Sequence, residues 1–124
     1  MATILIIDDE VMTVQMLTAL LKIMGHEAVG ATTAMQAVQT LGYLEPDAIL
    51  LDIMLPDVNG LQVCRNLRAN PRTERTPIFM ISATAPPLIA EAQAVGASGY
   101  LVKPLTLNDI RAALATVGVA SVGR

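Results

Sequence analysis

Five short apolar runs, each followed by a stretch of helical periodicity, constrain this chain more than anything else in its sequence. The runs predict strands near residues 3–8, 27–31, 47–52, 77–82 and 99–102. The stretches after them predict helices near 11–24, 33–43, 60–69, 86–96 and 107–117. In the first helix Val14, Leu17, Leu20, Leu21 and Met24 recur at the spacing of a core-facing stripe. Gly25 follows as a stop, and Thr33, Asn59 and Thr106 stand where N-caps belong. Strands joined only by turns would predict a sandwich, but these intervals hold helices. The pattern reads as repeated βαβ units, an α/β fold with a parallel sheet and helices on both faces, over residues 1–118. VASVGR, residues 119–124, reads either as a tail or as the start of a linker.

Composition then removes several classes of function. No apolar run approaches the roughly 18 residues of a membrane span, because Gly, Pro or charge interrupts each one. The N-terminus lacks the basic-then-apolar order of a signal peptide, so the chain reads as a soluble, cytoplasmic protein. A net charge of −3 with no Lys or Arg block argues against nucleic-acid binding by this chain. The single Cys64 excludes an internal disulfide and a multi-cysteine zinc site, and its helical spacing with Leu61 and Leu67 reads as core. His26, the only histidine, reads as a surface turn residue; with no base–nucleophile pattern around it, a histidine-based triad is not expected. Phe79, Tyr43 and Tyr100 are the only aromatics, and the 7 methionines are expected to fill the core beside Leu and Ile.

ILIIDDE, residues 4–10, poses an electrostatic problem. Ile4 to Ile7 read as a strand buried on both faces, and Asp8, Asp9 and Glu10 crowd its end. Two carboxylates about 4 Å apart repel by about 4 kcal/mol at an effective dielectric of about 20. Something positive has to sit beside them. In open parallel sheets, ligands bind beyond the carboxyl ends of the strands. At those ends the sequence sets Asp8 and Asp9, Asp52 after DAILL, Ser82 after PIFMI, and Lys103 after GYLV. Carboxylate oxygens with a carbonyl and waters suit Mg²⁺, which would relieve the repulsion. A lysine ammonium pairs with a carboxylate or with phosphoryl oxygens, and a serine hydroxyl donates. Together these groups fit phosphoryl transfer onto an aspartate.

The order IDDE, LLDIMLPDVNGLQV, ISA, GYLVKP resembles the receiver domain of two-component response regulators, over essentially the whole chain. The resemblance implies a five-stranded parallel sheet in the order 2-1-3-4-5, doubly wound with five helices in the CheY-like manner. It implies Asp52 as phosphoacceptor, and Asp8 and Asp9 as the Mg²⁺ acids, with Asp9 the direct ligand and the Met54 carbonyl completing the protein's share. Ser82 and the Ala83 amide would take phosphoryl oxygens, and Lys103 would pair with the group. Lys103-Pro104 matches the family's cis peptide, and Pro56 and Gly60 match the loop into the third helix. Glu10 reads as a first-turn acid that complements the helix dipole, with a lesser reading as a supporting residue of the site. Asp47 and Asp57, each after a proline, read as turn residues. Met54 and Thr84 stand where the family tunes dephosphorylation through water access.

By the same resemblance, Ser82 and Tyr100 form a switch coupling the phosphate to the face of helix four, strand five and helix five, where a homodimer is also possible. The implied partner is a sensor histidine kinase or a phosphotransfer protein. The domain would assist its own phosphorylation and dephosphorylation without being an enzyme with an outside product. Two departures stand out. Pro86-Pro87 fall where the fourth helix should begin and are expected to stiffen its entry and shorten it. Ser98-Gly99 replace a frequent acid, which weakens one expected surface contact.

Rival readings fit less well. A haloacid-dehalogenase-type phosphatase wants a second Asp where Met54 stands, and an FMN module would have its phosphate repelled by Asp8-Asp9-Glu10. No Walker loop is present. The strongest alternative is a receiver-like binding module that acts through phosphorylation-independent dimerisation.

Overall fold

In a computed structural model of the chain, residues 1–119 are described. The expected tail or linker at 119–124 lies, Val119 apart, outside them. Strands β1 (Thr3–Ile7), β2 (Glu27–Ala31), β3 (Ala48–Asp52), β4 (Ile78–Ser82) and β5 (Gly99–Val102) alternate with helices α1 (Val11–Ile23), α2 (Ala34–Leu41), α3 (Gly60–Arg68), α4 (Ile89–Ala94) and α5 (Leu107–Thr116). All strand pairs are parallel, in the order β2-β1-β3-β4-β5.

Alternation along the central strands sends side chains to two cores. Leu5, Ile7, Ile49, Leu51, Ile78 and Met80 pack with α2, α3 and α4. Ile4, Ile6, Leu50, Phe79 and Ile81 pack with α1 and α5. Because both faces are covered, β3 and β4 are apolar and buried throughout until each ends in a polar residue, Asp52 and Ser82. Fully burying one such Leu or Ile stabilises the fold by about 2 kcal/mol. The predicted α1 stripe holds: Leu17, Leu21 and Met24 are buried, and Val14 and Leu20 pack at the core's edge.

The caps fall where the sequence sets them. Thr33 accepts from the Gln36 N–H, Asn59 from the Leu61 N–H, and Thr106 forms a reciprocal capping box with Asp109. Gly25, at φ +86, ends α1 in the left-handed conformation that glycine adopts without penalty. The fourth helix is cut to 6 residues because Pro86 and Pro87 precede it rather than open it.

Two expectations are corrected. His26 is not a surface turn residue: it is buried, and its Nδ1 accepts the Ala2 N–H at 3.0 Å, which ties the start of β1 to the turn before β2. The methionines do not mainly fill the core. Only Met24 and Met80 are buried, whereas Met1, Met12, Met16, Met35 and Met54 are exposed. Cys64 is core, as expected, with Sγ against the Val95 carbonyl. Among the described residues, no helix is long and apolar enough to cross a membrane.

Candidate functional site

Parallel pairing brings the carboxyl ends of β1, β3, β4 and β5 to one rim, and Asp8, Asp52, Ser82 and Lys103 converge there. Asp8 and Ser82 are fully buried and Asp52 nearly so. Each acid is first fixed by its own backbone: Asp8 Oδ1 accepts the Glu10 N–H at 2.9 Å, and Asp52 Oδ1 accepts the Met54 N–H at 3.1 Å. Their second oxygens face Lys103. The ammonium lies 2.7 Å from Asp8 Oδ2, 3.3 Å from Asp52 Oδ2 and 3.1 Å from Glu10 Oε1. The positive group demanded by the acidic run is therefore, in the first instance, the chain's own lysine. Lys103-Pro104 is a cis peptide, as the family resemblance implied; Ala85-Pro86 is a second, which it did not imply.

The electrostatics follow from this packing. Burial pushes the Asp52 carboxyl above its ordinary 3.8, and the Asp8 charge adds to the push. The Met54 N–H and Lys103 offset only part of it. Burial alone would lower the Lys103 pKa, but bonding to Asp8, the Asp52 charge and Glu10 hold it above its ordinary 10.5.

One oxygen each from Asp8, Glu10 and Asp52 lies within 4.8 Å of the others, a donor set that suits a hard divalent cation. Asp9 is exposed and does not join that group. Glu10 occupies the N-cap of α1 without capping it, and its carboxylate goes to Lys103 instead of serving only the helix dipole. The link joins residues 93 apart in sequence, which no local pattern signals.

Around this centre, Ser82 Oγ is 2.6 Å from Thr84 Oγ1 and accepts the Thr84 N–H at 2.9 Å. Tyr100 is half-buried, and its hydroxyl accepts the N–H of Leu88, the residue that opens α4. Gly60 lets α3 press against β3: a Cβ there would lie 2.1 Å from the Asp52 carbonyl oxygen. Its N–H bonds the Ile53 carbonyl at 2.7 Å, and Met54 bridges to Asn59, so the loop after Asp52 is closed at its base. At the loop's tip, Asp57 is more than a turn residue. Its carboxylate accepts the N–H groups of Ala34 and Met35 at 3.0 and 3.1 Å, which caps α2 from outside and holds its own pKa below the ordinary value. Asp47 accepts the Thr3 N–H at 2.8 Å. Ser98, expected to weaken a contact, accepts the Ile78 N–H and stands 3.4 Å from the Arg68 guanidinium.

An open cleft of about 340 Å³ adjoins the rim, walled by Glu10, Thr13, Met16, Ala83, Lys103 and Pro104. It gives access to Lys103 from the α1 side.

The chain is similar in sequence and in fold to known proteins. The chain is 34% identical over 116 residues to the phosphate regulon transcriptional regulatory protein PhoB of Pseudomonas aeruginosa, covering 93% of this chain and 51% of that protein. It is 34% identical over 108 residues to the DNA-binding response regulator MtrA of Mycobacterium tuberculosis, covering 86% of this chain and 46% of that one. The chain thus spans about half the length of these relatives. Among solved structures, the chemotaxis response regulator CheY4 of Vibrio cholerae superposes with a TM-score of 0.87 at 30% identity, over 94% of this chain and 98% of that one. The receiver domain of the sensor histidine kinase PA1611 of Pseudomonas aeruginosa, which holds magnesium in its active-site cleft, gives 0.84 at 28%, over 94% and 98%. Residues 4–115 match the response regulator receiver domain, and the chain belongs to that family of two-component signalling domains.

Proposed function

We propose that Asp52 accepts a phosphoryl group from a phosphohistidine on a sensor kinase or phosphotransfer protein, and that the resulting charge switches the face of α4, β5 and α5. The observation that supports this most is the single lysine ammonium shared by two buried aspartates, 2.7 Å from Asp8 and 3.3 Å from Asp52. A carboxylate held in that way is desolvated and aimed, and its Oδ1 is fixed by the Met54 N–H. Attack by an Asp52 oxygen forms an O–P bond as the P–N bond to the donor imidazole breaks and its electron pair returns to that ring. Lys103 can follow the transferred oxygens as their counter-charge. Ser82 and the Ala83 N–H supply hydrogen bonds to them, once Ser82 turns from Thr84.

The donor set of this rim fits Mg²⁺. Asp8, Asp9, Asp52 and the Met54 carbonyl would hold it, Asp9 by turning inward from its exposed position. The ion would supply neutralisation of the phosphoryl charge. Asp52 is then the modified group of a switch and not the machinery of an enzyme with an outside product. The deciding experiment is intact mass after incubation with Mg²⁺ and a small acyl-phosphate donor, beside Asp52→Asn. One phosphoryl group added to the wild type, and none without Mg²⁺ or in the variant, is the expected result. No addition under any condition would overturn the phosphoacceptor role.

A further inference from the structure

The Ser82 hydroxyl has a local engagement that the phosphoryl reading does not use. It is fully buried at the end of β4, 2.6 Å from the Thr84 hydroxyl, and it accepts the Thr84 N–H at 2.9 Å. Thr84, two residues on, thus meets it with both backbone and side chain. A buried hydroxyl leaves such partners only for others of equal worth, because an unmade hydrogen bond in a dry site carries the full desolvation cost. We propose that Thr84 is a positioning residue that latches Ser82 in the resting state, so that its side-chain hydroxyl sets how readily the domain closes on a phosphoryl group at Asp52.

The latch has two parts, and they separate cleanly. The Thr84 N–H belongs to the turn and survives any side-chain change. The Thr84 hydroxyl is the removable part. Replacing it with a methyl group of the same shape leaves Ser82 with one resting partner fewer. The phosphoryl oxygens offered at Asp52 are unchanged, so the balance moves toward the engaged state. One neutral hydrogen bond corresponds to a shift of about three- to tenfold in that equilibrium. The effect is on affinity for the phosphoryl group and is independent of any water that later hydrolyses it. A role for Thr84 in water access alone would alter the lifetime of phospho-Asp52 and leave affinity untouched.

This inference rests on Asp52 being the phosphoacceptor, and the test separates the two. Beryllofluoride, a phosphoryl mimic that is not hydrolysed, is titrated with Mg²⁺ into ¹⁵N-labelled wild type, Thr84→Val, Thr84→Ala, Thr84→Ser and Asp52→Asn. The Ala83 amide signal is followed. Thr84→Val and Thr84→Ala are expected to bind the mimic about three- to tenfold more tightly than wild type, with Thr84→Ser restoring the wild-type value. Their Ala83 amide should also move toward the bound position before any ligand is added. Wild-type affinity, or weaker binding, in folded Thr84→Val and Thr84→Ala would overturn the latch. Wild type giving the same null response as Asp52→Asn would overturn the phosphoacceptor reading itself, and the latch with it.

Discussion

Lys103 Nζ stands 2.7 Å from Asp8 Oδ2, closer than to either of its other carboxylates, and that aspartate is wholly buried. The lysine is therefore a structural counter-ion to the buried acids of the rim. Removing it strands two buried acids. Lys103→Met is expected to cost about 3 kcal/mol at neutral pH in metal-free buffer. Because a divalent cation can take over the neutralisation, added Mg²⁺ should restore much of that loss, and more than it adds to wild type. Urea denaturation with and without Mg²⁺ measures both; a deficit that Mg²⁺ leaves untouched would refute the shared role.

Gly60 answers to contact rather than to charge. An alanine Cβ there would fall 2.1 Å from the Asp52 carbonyl oxygen and 2.8 Å from Ile53 Cα. Both neighbours are backbone, so the strand or the helix must move. Gly60→Ala should cost about 3 kcal/mol and slow phosphorylation of Asp52 even where the protein remains folded. Thermal melting and acyl-phosphate labelling would show whether the two losses appear together.

Asp9 and Asp8 should separate in their effects. Asp9 is exposed and outside the carboxylate group, so Asp9→Asn should leave metal-free stability within about 0.5 kcal/mol of wild type. Its Mg²⁺ affinity should nonetheless fall by about tenfold or more. Calorimetric titration with Mg²⁺ tests this, and unchanged affinity would assign the third acid to Glu10 instead.

The pH dependence follows from Asp52. Burial raises its folded pKa above the unfolded 3.8, so the native state holds that proton more tightly than the unfolded chain does. Its contribution to stability is fullest below 3.8 and declines as pH rises through the folded value. Asp52→Asn, which carries no charge to desolvate, should be more stable than wild type at neutral pH, with the margin shrinking on acidification. Melting curves of the two proteins in metal-free buffer across the acid range give the readout.

The β-strands were legible because both faces are buried: an unbroken apolar run ending in Asp52 or Ser82 admits few other readings. Thr33, Asn59 and Thr106 were legible because capping is local chemistry. What the sequence hid depends on contacts across the chain. Nothing near His26 shows that the Ala2 amide will reach its ring, and nothing near Glu10 shows Lys103. The methionines misled because an unbranched thioether suits an amphipathic helix surface as well as a core gap. Asp57 was read from Pro56 as a turn, and its helix-capping role needed α2 to be set beside it.

That placement of Asp57 leaves the loop after Asp52 with no slack. The Gly60 N–H ties its base to Ile53, Met54 bridges to Asn59, and the tip is pinned to the first turn of α2. The length of residues 53–60 is thereby fixed as strictly as their identity. One residue added or removed would undo either the tie or the pin. An epitope tag or sensor insert therefore has no place between Asp52 and Gly60.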